Sequence, residues 1–229
     1  MDYIRTADYR HEWKHEINYC DLLTIRQRLR AVAQIDSHTA DGRYFIRSLY
    51  FDTPADTALW EKLDGISRRE KFRIRFYNQD TSLIHLEKKC KVDGLGTKHT
   101  AVLTQEEAQS IVNGDLKWME SNGDPLVQDL YVQMTTHFLQ PKTIVDYTRE
   151  PFIYGPGNVR VTLDYDIRTG IRNTDFLNPN CVTVPAGDAP IILEVKWDAF
   201  LPNVIRDAIQ LKGRRTGAFS KYAQCRVYG

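Results

Sequence analysis

The chain has 229 residues, 42% of them hydrophobic and 11% aromatic, which suits one large α+β domain spanning 1–229 and is short for two. Its 31 Lys and Arg against 30 Asp and Glu leave a formal charge of +1, so no global field marks it for nucleic acid or a membrane surface, and any functional basicity has to be local. Cys20, Cys90, Cys181 and Cys225 form no C-x-x-C pair, the first residues carry no apolar run and no later stretch approaches a membrane span, which together predict a soluble, cytoplasmic protein with reduced thiols and no direct membrane insertion.

Alternation over residues 9–18 (YRHEWKHEIN) predicts a strand with Arg10, Glu12, Lys14 and Glu16 on one face and Trp13 and Ile17 on the other. His11, Glu12 and His15 also spell the H-E-x-x-H of zinc proteases, but that site needs a helix; a strand holds the two histidines too far apart, on the face opposite Glu12. Residues 21–34 follow as an amphipathic helix, with Leu22, Ile25, Leu29 and Val32 at helical spacing and Arg26, Arg28 and Arg30 solvated. Residues 44–52 (YFIRSLYFD) form a strand. Thr53-Pro54 then reads as an N-cap with proline at the first helical position, opening a helix that carries Leu59 and Leu63 and stops at Gly65.

Residues 69–77 (REKFRIRFY) alternate most clearly: Arg69, Lys71, Arg73, Arg75 and Tyr77 on one parity, Phe72, Ile74 and Phe76 on the other. The partner strand at 84–92 (IHLEKKCKV) repeats the pattern with His85, Glu87, Lys89 and Lys91. Asp93-Gly94-Leu95-Gly96 lacks the G-x-x-x-x-G-K-[ST] of a phosphate-cradling loop and predicts a hairpin turn into a strand at 98–103. Thr104 and Glu107 make a capping box for a short helix ending near Gly114, and Asp124-Pro125 opens another with Leu126, Leu130, Met134 and Phe138 as its buried stripe. Strands at 143–149, 159–166 and 191–197 complete the set, the last two separated by a long loop at 173–190. A helix at 202–211 and a basic tail without pattern at 212–222 end the chain order.

Eight strands result, most with Arg, Lys, Glu or Asp on a single parity, as in Arg160, Thr162 and Asp164, or Glu194 with Lys196. Solvated faces would accept Ser, Thr, Asn or Gln equally well, so the enrichment predicts a shared charged interior: a closed eight-stranded antiparallel β-barrel, a tunnel, with helices packed outside. Most aromatics fall on the apolar parity. That disfavours nucleic acid, because single-strand binders interleave aromatics with cations.

Through RHEWKHEI, SLYFDTP, KFRIRFY, LEKKCK, the pair Tyr147 and Arg149, VRVTLDYDIR, LEVKW and FSKY, in this order, the chain resembles the VTC-type polyphosphate polymerase domain of the triphosphate tunnel metalloenzyme superfamily. The resemblance implies a basic tunnel, phosphate-binding roles for Lys14, Arg73, Arg75, Lys89, Arg149, Arg160 and Lys221, and a divalent cation, Mn2+ or Mg2+, on Glu194. Lys71, Lys91 and Lys196 join the phosphate-binding candidates, and Glu12 and Glu87 the metal candidates. The family's E-x-E-x-K opening is kept only in part by Glu12, Lys14 and Glu16, and Ala218 stands where polymerase relatives can carry a further lysine.

The implied reaction passes the γ-phosphate of ATP to a growing polyphosphate chain. Arg73, Arg75 and Lys89 clamp the nucleotide's phosphates, Arg149 and Arg160 hold the chain, and Lys221 neutralises the leaving or incoming oxygen. Three readings stay open on residue types: this polymerase, a hydrolase of tripolyphosphate or nucleoside triphosphate, and a non-catalytic polyphosphate sensor. A membrane partner protein that receives the product is also left open.

Overall fold

Alternating segments become strands nearly everywhere the pattern predicts them. In chain order they are β1 (His11–Ile17), a two-residue β2 (Gln34–Ile35), β3 (Tyr44–Asp52), β4 (Arg69–Tyr77), β5 (Asp80–Val92), β6 (Leu95–Leu103), β7 (Gln140–Tyr154), β8 (Val159–Thr169), a two-residue β9 (Val184–Pro185) and β10 (Ile191–Trp197). The computed structural model describes residues 10–227 apart from 40, 94, 212 and 215, and only the backbone of Leu95. Tyr9, Gly94, Lys212 and Arg215, on which parts of the strand, turn and tail expectations fall, lie outside the described residues.

All pairings are antiparallel, and the sheet runs β1-β10-β8-β7-β3-β4-β5-β6, with β2 beside β7 and β9 beside β8. The expected closed barrel is not what forms: the sheet is curled and open. Its edge strands β1 and β6 share no ladder among the described residues and meet at one isolated bridge, Arg10 to Gly96. The free edge of β1 is taken instead by the C-terminal segment, where the Gly217 N–H donates to the Lys14 carbonyl at 2.8 Å and Thr216 bridges His15. A strand edge satisfied by another segment has nothing left to offer β6.

The helices are α1 (Tyr19–Val32), α2 (Thr57–Leu63), α3 (Gln105–Asn113), α4 (Pro125–Thr136), α5 (Asn203–Ile209) and α6 (Lys221–Val227). Apolar parities face outward beneath most of them. Leu22, Ile25 and Leu29 of α1, with Ile205 and Ala208 of α5, pack on Val161, Leu163, Leu193 and Val195. Ala108 and Ile111 of α3, with Leu126, Leu130 and Met134 of α4, cover Phe72, Ile74, Phe76 and Leu86. Each such Leu or Ile contributes about 1.5–3 kcal/mol by leaving water. These two outer cores free the opposite face of the sheet to be polar. Among the described residues no helix is long and apolar enough to cross a membrane.

Several local expectations are corrected. Helix α2 begins at Thr57, not at Thr53-Pro54, because the Asp52 carboxylate accepts from the Ala58 and Leu59 N–H groups (2.8 and 3.1 Å) and Asp56 turns the chain at φ 56. Leu63 is exposed, and so is Phe138, which lies past the end of α4 at φ 56, so that stripe stops at Met134. Arg26 is not solvated; it forks onto Glu150 with two 2.7 Å hydrogen bonds. The tail is not patternless either. Its α6 enters the curl, where Tyr222 stacks on Tyr50 (5.1 Å) and donates to Asp52 (2.6 Å), and Ala223 and Cys225 pack with Val145, Tyr147 and Ile167.

Candidate functional site on the concave face

Cross-strand register puts the charged parities on one continuous face. Lys14 is opposite Glu194, Glu194 opposite Thr162, Arg149 opposite Asp164, Tyr50 opposite Arg73, Arg73 opposite Glu87, and Lys71 opposite Lys89, which faces Lys98. That face is the inside of the curl, since Lys89 of β5 reaches Glu12 of β1 (3.5 Å) although those strands stand far apart in the sheet order. Arg73, Arg75, Lys89, Lys14, Lys71, Arg149, Arg160, Lys196, Glu194, Glu12 and Glu87 therefore converge, joined by Lys221 from α6. Lys91 sits at the margin, where it and Arg68, Arg69 and Lys71 line a cavity of about 510 Å3 at the start of β4.

Three charge clusters organise the interior. In the first, Lys14 lies between Glu12 (2.8 Å) and Glu194 (3.1 Å), and Lys196 holds the other oxygen of Glu194 (2.6 Å). Burial favours a neutral Glu194, but Lys196, Lys14, Arg149 and Lys221 outweigh it and keep the carboxyl well below its ordinary range. In the second, Arg149 forks onto the fully buried Asp164 (2.6 Å twice) and Lys221 adds a 2.5 Å contact. In the third, Glu87 takes Arg73 (2.6 Å), Lys98 (3.1 Å) and, more distantly, Arg75 (3.7 Å), and burial is again outweighed, so Glu87 stays ionised.

Two lysines escape this compensation. Among the described residues Lys71 makes no ion pair, and its contacts are the Ser220 hydroxyl (3.4 Å) and the Tyr222 ring (5.0 Å); burial, with Lys62 and Arg69 nearby, pulls its pKa down to about 7 against the weaker pull of Asp52. Lys89 keeps 42% of its side chain open to the lumen, yet burial of its ammonium beside Lys14 and Lys196 lowers it to about 8 against the pull of Glu12. Arg75 is buried, with Nη2 donating to the Ser48 and Tyr147 hydroxyls (3.2 and 3.1 Å) and Nη1 at the longer distance of 3.7 Å from Glu87.

Tyrosines interleave with these cations, contrary to the expected placement of the aromatics. Tyr147 carries Lys221 (4.6 Å) and Arg149 (5.4 Å) over its ring, Tyr50 accepts from Arg73 (2.7 Å), and Tyr44 from Arg160 (2.9 Å). Burial works to raise the Tyr147 phenol, but Arg149, Arg75 and Lys221 bring it to about 8. Phenols position guanidinium groups without neutralising them. Their signal was legible: Tyr77 and Tyr147 stand two residues from Arg75 and Arg149, on the same parity. Because Tyr44, Tyr50 and Tyr147 are buried, they offer no faces for stacking a nucleic-acid strand.

Thr162 Oγ1 and Arg160 Nε are buried on this face with no hydrogen-bond partner among the described residues, although Arg160 also reaches Asp36 (3.0 Å). Such orphans are costly unless something else meets them. For a divalent cation the donor set fits only in part. Glu12 and Glu194 share Lys14 and can serve together, whereas Glu87 is held separately by arginine, and no cluster of three or more His, Cys, Asp or Glu occurs among the described residues. Two carboxylates suffice for a hard cation that takes its other oxygens from substrate phosphates. The H-E-x-x-H stretch lies on a strand, where His11 stacks against Trp197 (5.4 Å).

A curled antiparallel sheet with cationic rows turned inward and helices on its outer face defines a fold built around a charged groove. The VTC domain matches residues 9–228, and the chain belongs to that family. No curated protein sequence matches it significantly. Two solved structures share the fold at low identity, and a third shows a weaker likeness. A Bacillus halodurans protein described as a candidate adenylate cyclase is 14% identical with a TM-score of 0.50, covering 82% of this chain and 81% of that one. The PH1012 protein of Pyrococcus horikoshii OT3 is 12% identical with a TM-score of 0.50, covering 95% and 99%. A mimivirus capping enzyme triphosphatase is 11% identical with a TM-score of 0.41, covering 90% and 88%.

Proposed function

We propose that the chain, acting as one domain, is a phosphotransferase that uses Mn2+ or Mg2+ to pass the γ-phosphate of ATP to a polyphosphate chain lying along the concave face. The observation that carries this reading is the excess of cations in the interior of a VTC-family fold: among the described residues Lys71 has no carboxylate within 4 Å, and Lys89 and Arg75 have only the longer contacts to Glu12 (3.5 Å) and Glu87 (3.7 Å), each already engaged by another cation. A polyanion supplies the missing negative charge; a neutral substrate does not.

The chemistry needs no protein nucleophile. A terminal phosphate oxygen of the chain attacks the γ-phosphorus, the bond to the β-phosphate oxygen breaks, and ADP leaves. Arg73 and Arg75 grip the nucleotide's phosphate oxygens with Lys89, Arg149 and Arg160 hold the acceptor, and Lys221 neutralises the oxygen that gains charge. Lys14, Lys71, Lys91 and Lys196 extend the cationic path. Glu194, with Glu12, would hold the cation, which when bound neutralises phosphate oxygens and orients them. Purified protein incubated with ATP and Mn2+ should make polyphosphate visible on a gel, and Glu194→Ala should make none; equal synthesis by that variant overturns the metal assignment. A second reading, hydrolysis of tripolyphosphate, is favoured by the 42% exposure of the Lys89 side chain, through which solvent reaches the same cations. Phosphate release from tripolyphosphate, set against chain growth from ATP, separates the two, and binding without either product marks a sensor.

A further inference from the structure

We infer that the rim formed by Tyr77, His85 and Val102 is a nucleobase subsite that receives the nucleoside end of a triphosphate seated on Arg73 and Arg75. This deepens the proposed function and rests on it. Residues two apart on β4 lie about 6.8 Å apart on one face, so the row Arg73, Arg75, Tyr77 steps from cations to an aromatic ring within the span of one nucleotide. Arg75 is opposite His85, and His85 is opposite Val102, so the change in chemistry extends across three strands.

The rim looks unfinished in three respects. Val102 is 63% exposed, a large apolar side chain left on the lumen parity where its neighbours are polar. Tyr77 and His85 meet edge to face (6.1 Å), Tyr77 meets Tyr44 likewise (5.4 Å) and carries Arg75 over its ring (5.8 Å), and both Tyr77 and His85 remain only half-buried. Among the described residues His85 Nδ1 has no hydrogen-bond partner. An imidazole offers a flat ring for stacking and ring nitrogens that exchange hydrogen bonds with a base.

The other end of the row has the opposite character. Arg69, Lys71 and Lys91 follow Arg73 and Lys89 toward the cavity of about 510 Å3, where Arg68, Arg69, Lys71 and Lys91 outnumber Asp52, Glu61 and Glu70. The two ends thus give the bound nucleotide a direction: base at the Tyr77 rim, terminal phosphate toward Lys89 and Glu194.

Isothermal titration with ATP and with inorganic tripolyphosphate, each with Mn2+, tests this. His85→Ala should weaken ATP about tenfold, the scale of one lost stacking contact, and leave tripolyphosphate within twofold. Val102→Trp, at an exposed position that tolerates bulk, should tighten ATP several-fold and again leave tripolyphosphate unchanged. Equal effects on both ligands, or none on ATP, overturn the subsite. If wild-type protein binds neither ligand, the reading of the whole concave face fails instead, and the two failures are told apart by tripolyphosphate alone.

Discussion

Lys71 and Lys89 are cross-strand partners on β4 and β5, and among the described residues the only carboxylate within 4 Å of either ammonium is Glu12, 3.5 Å from Lys89 and already engaged by Lys14. Like charges facing one another on a sheet destabilise it. The ligand-free protein therefore carries a penalty that a bound polyanion removes.

This penalty has a pH signature. The folded-state pKa of Lys71, about 7, lies below the ordinary 10.5, so the unfolded chain binds that proton more tightly. Stability lost to Lys71 is then lost in full below pH 7 and recovered as pH rises toward 10.5. Lys71→Met should raise the melting temperature of the ligand-free protein at neutral pH, by about 2–4 °C for each ~1 kcal/mol relieved. The gain should shrink on approach to pH 10.5, and thermal denaturation followed by circular dichroism across that range reads it. A variant no more stable than wild type at neutral pH would end the argument from repulsion.

Ligand binding should move protons in the same window. A polyphosphate placed against Lys71 and Lys89 favours their charged forms, so binding near pH 8 takes protons up from the buffer. Titration calorimetry in buffers of different ionisation enthalpy measures that uptake directly. It should fade well below pH 7, where both amines are already protonated, and Lys71→Met should reduce it near pH 8.

Asp164 is the pivot of the second cluster, fully buried beneath Arg149 and Lys221. Replacing it by asparagine keeps the shape and strands two cations, a change that costs about 3–5 kcal/mol when a buried pair loses one member. Urea unfolding of Asp164→Asn should show that loss without ligand and a smaller one with saturating tripolyphosphate, whose charge stands in for the carboxylate. A loss under about 1 kcal/mol would mean that water already screens the pair.

Much of this site was legible in the sequence because one physical rule governs it: a strand covered on one side must alternate, and Arg73, Arg75, Glu87, Lys89 and Glu194 fall on the uncovered parity. What local pattern could not carry is decided between distant segments. Closure of the barrel depends on which segment wins the edge of β1, and Thr216 and Gly217 win it over β6. Helix α6 is only seven residues long, too short to persist on propensity, and exists because Tyr222 and Cys225 are buried inside the curl. The tyrosines were readable by parity but are ordinarily counted as apolar, which hides the hydroxyl that Arg73, Arg75 and Arg160 use.

Glu194 and Glu87 are both buried carboxylates on the concave face, and their partners predict opposite behaviour toward a metal. Glu87 has arginine against it: Arg73 fixes Oε2 at 2.6 Å with Arg75 behind, and Lys98 takes Oε1. Guanidinium groups do not deprotonate, so Glu87 can take a cation only by breaking that fork. Among the described residues the ion pairs of Glu194 are with Lys14 and Lys196, flexible amines that can turn to phosphate oxygens once a cation and substrate arrive together. Mn2+ binding in the presence of tripolyphosphate, followed by electron paramagnetic resonance, should therefore be lost in Glu194→Gln and Glu12→Gln and retained in Glu87→Gln. Turnover should split differently. Glu194→Gln should lower it by about 10²–10³ through lost charge stabilisation, while Glu87→Gln releases Arg73 and acts mainly on KM. Retention of Mn2+ by Glu194→Gln together with its loss in Glu87→Gln would move the metal to the third cluster and reverse the assignment.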